Sequence, residues 1–196
     1  GRGASLSAKI EEVLETGRIM KLDLLHQDGA VGGLIELGKI WGVGPSLAAK
    51  LYRAGVREVS DLVGKQSVGS GPHTVSLPQQ VQLGVLHFDD INTKIPRAEV
   101  ACIEDMVRRH AQKAGGPRVS VQACGSYRRG KPQSGDVDCL LTREDGGCLL
   151  DLMARLLASL SASFHMKHLS LPTRKSTHGS CTYMGLIRAP SETRFR

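Results

Sequence analysis

The sequence lacks the features that would identify a membrane protein, a secreted protein or a zinc-binding protein. No apolar run approaches the roughly 18–20 residues that a bilayer-spanning helix needs, and the N-terminal Gly1-Arg2-Gly3 carries no signal-peptide pattern. The five cysteines are odd in number and never form a C-x-x-C pair, so neither a zinc site nor a disulfide framework is indicated. We therefore expect no membrane segment and a reducing compartment.

An initiator methionine and an internal repeat of fixed period are also absent. The abrupt ends at Gly1 and Arg196 lead us to expect a fragment of a longer protein. Apolar residues make up 40% and charged residues 23%, which is close to the globular average and unlike a disordered chain. The 196 residues allow one ordinary domain or about two or three small ones.

Basic residues are in excess, and the excess is local. Lysine and arginine number 26 against 19 acidic residues, which gives a formal net charge of +7. Between Lys94 and Lys131 there are nine basic and three acidic residues. A basic stretch of this kind is typical of a chain that meets a polyanion such as nucleic acid.

The hydrophobic periodicity predicts an α+β fold, with an all-helical N-terminal part followed by a mixed α/β part. Apolar residues at helical spacing predict an amphipathic helix over 6–16, ended by Gly17. The remaining predicted helices cover about 34–40, 47–55, 60–64, 79–88, 97–114 and 149–160. Period-two alternation predicts strands near 119–123, 137–141 and 182–187. Residues 64–76 are rich in Gly, Ser, Pro and His, and we predict a mobile loop there.

A glycine-rich turn, Gly42-Val43-Gly44-Pro45-Ser46, precedes one of the predicted helices. Its glycines let the backbone approach a ligand closely, and the free N–H groups of a helix N-terminus bind phosphate. A second G-x-G at Gly1–Gly3 suggests a helix-hairpin-helix pair that grips DNA without base preference and in a salt-dependent way. We predict Gly42, Val43, Gly44 and Ser46 as DNA-binding residues, the alternative being an ordinary turn between two helices.

The strongest chemical signal is the run Gly125-Ser126-Tyr127-Arg128-Arg129-Gly130, followed by Gly135-Asp136-Val137-Asp138. We expect Asp136 and Asp138 on one face of a strand, where they can bridge hard cations, the alternative being a solvated strand edge. Gly125 and Ser126 supply an amide and a hydroxyl, and Arg129 supplies a cationic fork suited to phosphate oxygens. These parts predict a nucleoside triphosphate site with two-metal chemistry.

These two motifs, together with the G-V-G-P-S turn and the run Ile95-Pro96-Arg97-Ala98-Glu99, resemble a family X DNA polymerase. The resemblance implies the C-terminal part of a lyase domain over 1–30, a helical DNA-binding subdomain over 31–93 and a partial nucleotidyltransferase palm over 94–196. It also implies gapped or nicked DNA and dNTP as substrates, and Mg²⁺ or Mn²⁺ as cofactor. Short-gap filling in DNA repair, repair or end-joining proteins as partners and a nuclear location follow from the same likeness.

Several site roles follow from the resemblance alone. It makes Asp136 and Asp138 two of three metal-binding aspartates, with the third and the thumb subdomain expected after Arg196, so we expect the fragment itself to be inactive as a polymerase. Gly135 joins the triphosphate contacts named above. Lys94 stands where the family usually has arginine, so its contact would be a point charge.

The resemblance also assigns a second chemistry to Lys9. It matches the lysine that forms a Schiff base with a 5′-deoxyribose phosphate, whereas Ser5 replaces a basic residue often found one turn earlier. Two alternatives stay open. One is a template-independent nucleotidyltransferase, and the other is a non-catalytic DNA-binding adaptor.

Overall fold

A computed structural model describes residues 2–19, 29–174, 181–188 and 194–196. It divides into two compact units, 1–86 and 87–196. The first is mainly helical and the second is mixed α/β, which confirms the predicted α+β class. Among the described residues, no helix is both long enough and apolar enough to cross a membrane.

The described residues form α-helices and short antiparallel strand pairs. The helices are α1 (Arg2–Thr16), α2 (Gly29–Gly38), α3 (Pro45–Arg53), α4 (Gln79–Leu86), α5 (Phe88–Asn92), α6 (Arg97–Gly115), α7 (Gly125–Arg128) and α8 (Leu149–Ser161), with 3₁₀ turns at Val59–Leu62 and Gly71–His73. The strands are β1 (Ser67–Val68), β2 (Val75–Ser76), β3 (Ile95–Pro96), β4 (Val119–Ala123), β5 (Gln133–Ser134), β6 (Cys139–Arg143), β7 (His165–Arg174) and β8 (Cys181–Arg188). They pair as β1 with β2, β3 with β5, β4 with β6 and β7 with β8.

Helix α1 runs to the predicted end. Gly17 takes a positive φ of 73° and donates its N–H to Val13, as a helix-ending glycine does. Arg2 and Gly3 already belong to this helix, so the turn expected at Gly1–Gly3 is wrong as far as the described residues reach. A small residue such as glycine can extend a helix at its first turn, where few backbone bonds depend on it.

The segment predicted as a mobile loop, 64–76, is ordered. It holds the β1–β2 hairpin, in which Val68 is buried opposite Val75. The N–H of Leu77 donates to the carbonyl of Gln66 at 2.8 Å and closes the hairpin. Composition predicted a loop here because hydrophobic periodicity does not show the buried Val68 or the main-chain bonds between the two strands.

The second unit is built on α6 and α8, which pack on one face of β4. Ala111 from α6, Val119 from β4 and Leu152, Leu156 and Leu160 from α8 are buried together. The apolar residues of α8 recur at helical spacing and those of β4 alternate, so each element buries one face. A smaller cluster of Ile95, Val100 and Ala123 lies under the first turn of α6.

Two strands differ from the expectation. The strand predicted over 137–141 runs over Cys139–Arg143, because the chain bends at Gly135 and Asp136 before pairing with β4. Strand β7 was not predicted, since it contains Pro172 and lacks clear alternation. Its extended form rests on pairing with β8, which is a long-range contact.

Candidate active site

The Gly125-Ser126 turn lies where β4 ends and the short helix α7 begins. Gly125 has a positive φ of 57°, and a Cβ placed on it would lie 2.5 Å from Oδ2 of Asp138. The N–H of Cys124 donates to the carbonyl of Asp138 at 2.7 Å. The turn and the Asp138 carboxylate are therefore in direct contact, and glycine is required at 125 both for its backbone conformation and for space.

Asp136 and Asp138 both precede β6 and do not lie within it. Asp136 lies in the bend, and Asp138 is the residue just before the strand, so the expected strand periodicity between them is wrong. Both residues are exposed, and neither carboxylate has a hydrogen bond or ion pair among the described residues. No cluster of three or more His, Cys, Asp or Glu side chains that could hold a metal ion occurs in the described part of the chain.

Lys94 and Gly135 are brought together by the pairing of β3 with β5. Ile95 lies opposite Ser134, so the residues just outside this pair are neighbours. Nζ of Lys94 lies 3.3 Å from the Cβ position of Gly135. A side chain at 135 would crowd the ammonium group, so this glycine leaves the cation accessible.

Ser126 and Arg129 lie at the two ends of one turn. Ser126 is half-buried and its carbonyl accepts from the N–H of Lys131, whereas Arg129 is exposed and ends α7. The Arg129 guanidinium has no hydrogen bond or ion pair to a described residue. An exposed, uncommitted guanidinium beside the Gly125 turn is suited to phosphate oxygens.

Arg97 and Glu104 support the site and were not among the predicted residues. Nη1 of Arg97 donates to the carbonyl of Tyr127 at 2.7 Å, and its guanidinium stacks 4.2 Å from the Tyr127 ring centroid. Oε1 of Glu104 accepts from the N–H of Ala123 at 2.7 Å. Arg97 lies within the motif used for the resemblance, so the sequence did carry a signal for it. Glu104 lies on a charged helix face that gives no such signal.

The thiol of Cys139 lies beside Asp138. Burial, the carboxylate of Glu104, the thiol of Cys124 and the carboxylate of Asp138 together raise the pKa of Cys139 to about 11. The thiol is therefore neutral at physiological pH. It adds no negative charge next to the two carboxylates.

The predicted DNA-binding turn connects α2 and α3. Gly42 has a φ of 85° and packs against Val81, with its Cβ position 3.2 Å from Cγ2 of that valine. Gly44 precedes Pro45 at the start of α3, and Gly44 and Ser46 are exposed. The side chain of Val43 is buried and its N–H donates to Ile40. This places Gly44 and Ser46 at the surface and Val43 in the core of the first unit.

Lys9 is exposed on α1. The apolar residues that follow on the same helix are also exposed, with Ile10 at 52%, Val13 at 41% and Leu14 at 80% of their full accessible surface. The predicted helix is confirmed, but no described residue covers its apolar side. The structure therefore leaves the Lys9 amine accessible.

The second unit, in which the Gly125 turn lies against the Asp138 carboxylate, has the fold of a nucleotidyltransferase palm. Two family models match the chain, one described as the DNA polymerase beta palm over 94–196 and one as the fingers domain of DNA polymerase lambda over 35–92. The chain belongs to the family X DNA polymerases, as the sequence resemblance indicated.

Three curated relatives illustrate the likeness. DNA polymerase lambda of Arabidopsis thaliana is 34% identical over 98% of this chain and 35% of its own length, and DNA polymerase lambda of Rattus norvegicus is 36% identical over 97% and 31%. The DNA-directed DNA/RNA polymerase mu of Homo sapiens is 28% identical over 81% of this chain and 30% of its own length. The chain thus spans about a third of the length of the relatives it matches.

Proposed function

We propose that the chain supplies the dNTP-binding and metal-binding part of a DNA-directed DNA polymerase that fills short gaps. The contact between Asp138 and Gly125 carries this proposal, because it places a carboxylate directly against a turn suited to a phosphate chain. Such a polymerase joins a dNMP to a primer 3′-hydroxyl and releases pyrophosphate. We propose the corresponding division into a lyase part over 1–30, a DNA-binding subdomain over 31–93 and a palm over 94–196.

Asp136 and Asp138 are proposed to hold Mg²⁺ or Mn²⁺. Their carboxylates are exposed and have no hydrogen bond or ion pair to a described residue, so they fit a hard cation, which binds oxygen ligands and completes its shell with water and phosphate oxygens. When bound, such ions activate the 3′-hydroxyl and offset the charge of the triphosphate. Asp136 and Asp138 are exposed, so further carboxylate ligands can approach the same cation.

The triphosphate is proposed to lie along the basic side of the turn. We propose that the Gly125 amide, the Ser126 hydroxyl and the Arg129 guanidinium contact one end of the triphosphate, and that Lys94, which lies beside Gly135, contacts the other. These groups orient the reacting phosphate and exclude alternative poses, which is the main protein contribution to phosphoryl transfer. Because Lys94 supplies a single ammonium group, we expect it to orient the phosphates less strictly than an arginine would.

DNA is proposed to bind through the turn before α3. The first N–H groups of this helix, at Ser46 and the next residue, have no carbonyl from an earlier turn, and Pro45 has no N–H to lose. Gly42 and Gly44 allow a sugar-phosphate backbone to approach. The side chain of Val43 is buried, and we propose that its packing holds the turn in place. Binding of this kind is independent of base sequence and weakens as salt rises.

A lyase activity at Lys9, a nuclear location and partners among repair or end-joining proteins complete the proposal. An exposed lysine amine can attack the aldehyde of a 5′-deoxyribose phosphate and form a Schiff base. The likeness to polymerases lambda supports these three assignments.

The decisive experiment is a chimera in which residues 1–196 replace the matching segment of the Arabidopsis thaliana polymerase lambda. We expect primer extension on one-nucleotide gapped DNA, and a loss of at least about a hundredfold in Asp138→Asn because a cation's charge stabilisation is worth several kcal/mol. Asp105→Asn is the matched control, since that aspartate pairs with arginines on α6. Equal loss in both variants, or full activity of Asp138→Asn, would refute the metal assignment.

The DNA-binding proposal is tested on the 196-residue chain alone. Fluorescence anisotropy with gapped DNA at several salt concentrations should show affinity falling steeply with salt and no preference among base sequences. Clear base selectivity, or an affinity that does not change with salt, would contradict it. If DNA binds but the chimera never extends a primer, the adaptor alternative is favoured.

A further inference from the structure

Two of the free cysteines lie at the ends of neighbouring elements in the second unit. Cys148 is the residue that caps the N-terminus of α8, and Cys181 is the first residue of β8. Sγ of Cys181 contacts the carbonyl oxygen of Leu149 at 3.8 Å, and Leu149 directly follows Cys148. The packing of α8 on β8 therefore places the Cys181 thiol against the residue that follows Cys148, although the two cysteines are far apart in sequence.

The two thiols differ in their surroundings. Cys148 is exposed, and the Arg143 guanidinium, which pairs with Asp145, lies so close to Gly147 that a Cβ there would overlap it. Exposed cysteines at helix N-termini and beside arginine are the ones that react with oxidants. Cys181 is partly buried, and burial followed by the nearby Cys148 raises the pKa of its thiol.

We propose that Cys148 and Cys181 form a redox-sensitive pair in which Cys148 reacts with a peroxide and Cys181 resolves the product as a disulfide. This inference rests on the geometry of the two thiols and is independent of the polymerase proposal. It adds a modification site on the side of the palm that carries the loop after β6. A disulfide in a reducing compartment is characteristically transient and regulatory.

The chemistry balances with hydrogen peroxide as the only oxidant. The sulfur of Cys148 attacks one peroxide oxygen, the O–O bond breaks, and the thiol proton leaves with the second oxygen as water. Cys148 is then a sulfenic acid. The sulfur of Cys181 attacks the sulfenic sulfur, the S–O bond breaks, and the departing hydroxyl takes the Cys181 proton as a second water. A small thiol reductant reverses the step by thiol–disulfide exchange.

The test uses the folded 196-residue chain, treated with hydrogen peroxide, alkylated and mapped by mass spectrometry. We expect two fewer alkylatable thiols, one linked pair of peptides containing Cys148 and Cys181, and full recovery with dithiothreitol. Cys181→Ser should instead accumulate a dimedone-reactive sulfenic acid at Cys148, and Cys148→Ser should form neither product. Cys102→Ser, which removes another exposed cysteine on α6, should behave as the parent does.

Four results would overturn the proposal. The first is a stable sulfenic acid at Cys148 in the parent chain without the link, and the second is preferential linking of a different pair such as Cys124 with Cys139. The third is the same product distribution when oxidation is carried out in guanidinium chloride, which would show that the fold does not select the pair. The fourth is measured on the parent chain without any substitution: faster alkylation of Cys181 than of Cys148 would contradict the proposed roles of the two thiols.

Discussion

Replacing Gly125 with alanine should damage the site more than it damages the fold. Alanine at a φ of 57° carries the cost of left-handed backbone, about 1–2 kcal/mol. The new Cβ would also lie 2.5 Å from Oδ2 of Asp138, whereas ordinary contact begins at 3.4 Å. The carboxylate must therefore move by about 0.9 Å, the difference of those two distances.

A displacement of about 1 Å at a reacting centre can cost about a hundredfold in rate. We therefore expect Gly125→Ala to lower single-turnover nucleotide insertion by the chimera about a hundredfold at saturating dNTP, with a modest fall in stability. Gly116→Ala is the matched control, because Gly116 has a φ of 88° but no atom within 4 Å of its Cβ position. Thermal melting of both variants measures the backbone cost, and gel-resolved primer extension measures insertion.

Comparing the two variants separates the cost of the backbone conformation from the effect of displacing the Asp138 carboxylate. If both lose stability to a similar extent and only Gly125→Ala loses insertion, the contact with Asp138 is what matters. The reasoning is refuted if Gly125→Ala inserts nucleotides at the parental rate, or if Gly116→Ala loses as much activity.

Three further outcomes are expected. Lys94→Ala should raise the KM for dNTP about tenfold, the effect of losing roughly 1.4 kcal/mol, while Lys113→Ala at the end of α6 leaves the KM unchanged. Steady-state insertion kinetics measure both values. An unchanged KM in Lys94→Ala would contradict the assignment. Lys9→Ala should abolish the borohydride-trapped adduct with incised abasic DNA in the chimera, with DNA affinity kept within a few-fold, and an undiminished adduct would place the nucleophile elsewhere. Burial raises the pKa of Tyr183 from 10.0 to about 12, so the unfolded chain loses the phenolic proton at a lower pH than the folded chain does. The free energy of unfolding should therefore fall as pH rises from about 10 toward 12. Tyr183→Phe should flatten that fall in urea denaturation, and an identical pH profile in the variant would refute this expectation.

The sequence predicted the elements whose burial is one-sided. Strand β4 and helix α8 each carry an apolar face with the right period, and both were found where that period indicates. The β1–β2 hairpin and β7 were missed because their extended form comes from pairing with a partner strand and not from their own alternation. Strand propensity depends on such pairing, which the pattern of a single segment does not contain.

The sequence predicted which residues form the candidate site, and the structure corrected where two of them lie relative to the strand. The motif residues Gly125 and Asp138 do lie in contact, but Asp138 precedes β6 and Asp136 lies in a bend. A one-sided strand pattern could not show this, because the bend at Gly135 depends on the pairing of β3 with β5. The support from Glu104 could not be anticipated either, since its carboxylate acts on a main-chain N–H of another element.

Two hydrogen bonds from main-chain N–H groups hold the residues immediately before the Gly125 turn. The N–H of Ala123 is held by the Glu104 carboxylate on α6, and the N–H of Cys124 is held by the carbonyl of Asp138 ahead of β6, both at 2.7 Å. Ligand-binding loops usually belong to the least stable parts of a protein and open often. These two bonds tie the residues just before the turn to a long helix and to the central strand pair, so the amides of Ala123 and Cys124 should exchange with solvent only when those elements open. The Gly125 turn is then already formed in the free chain, and a ligand that binds there does not have to order it.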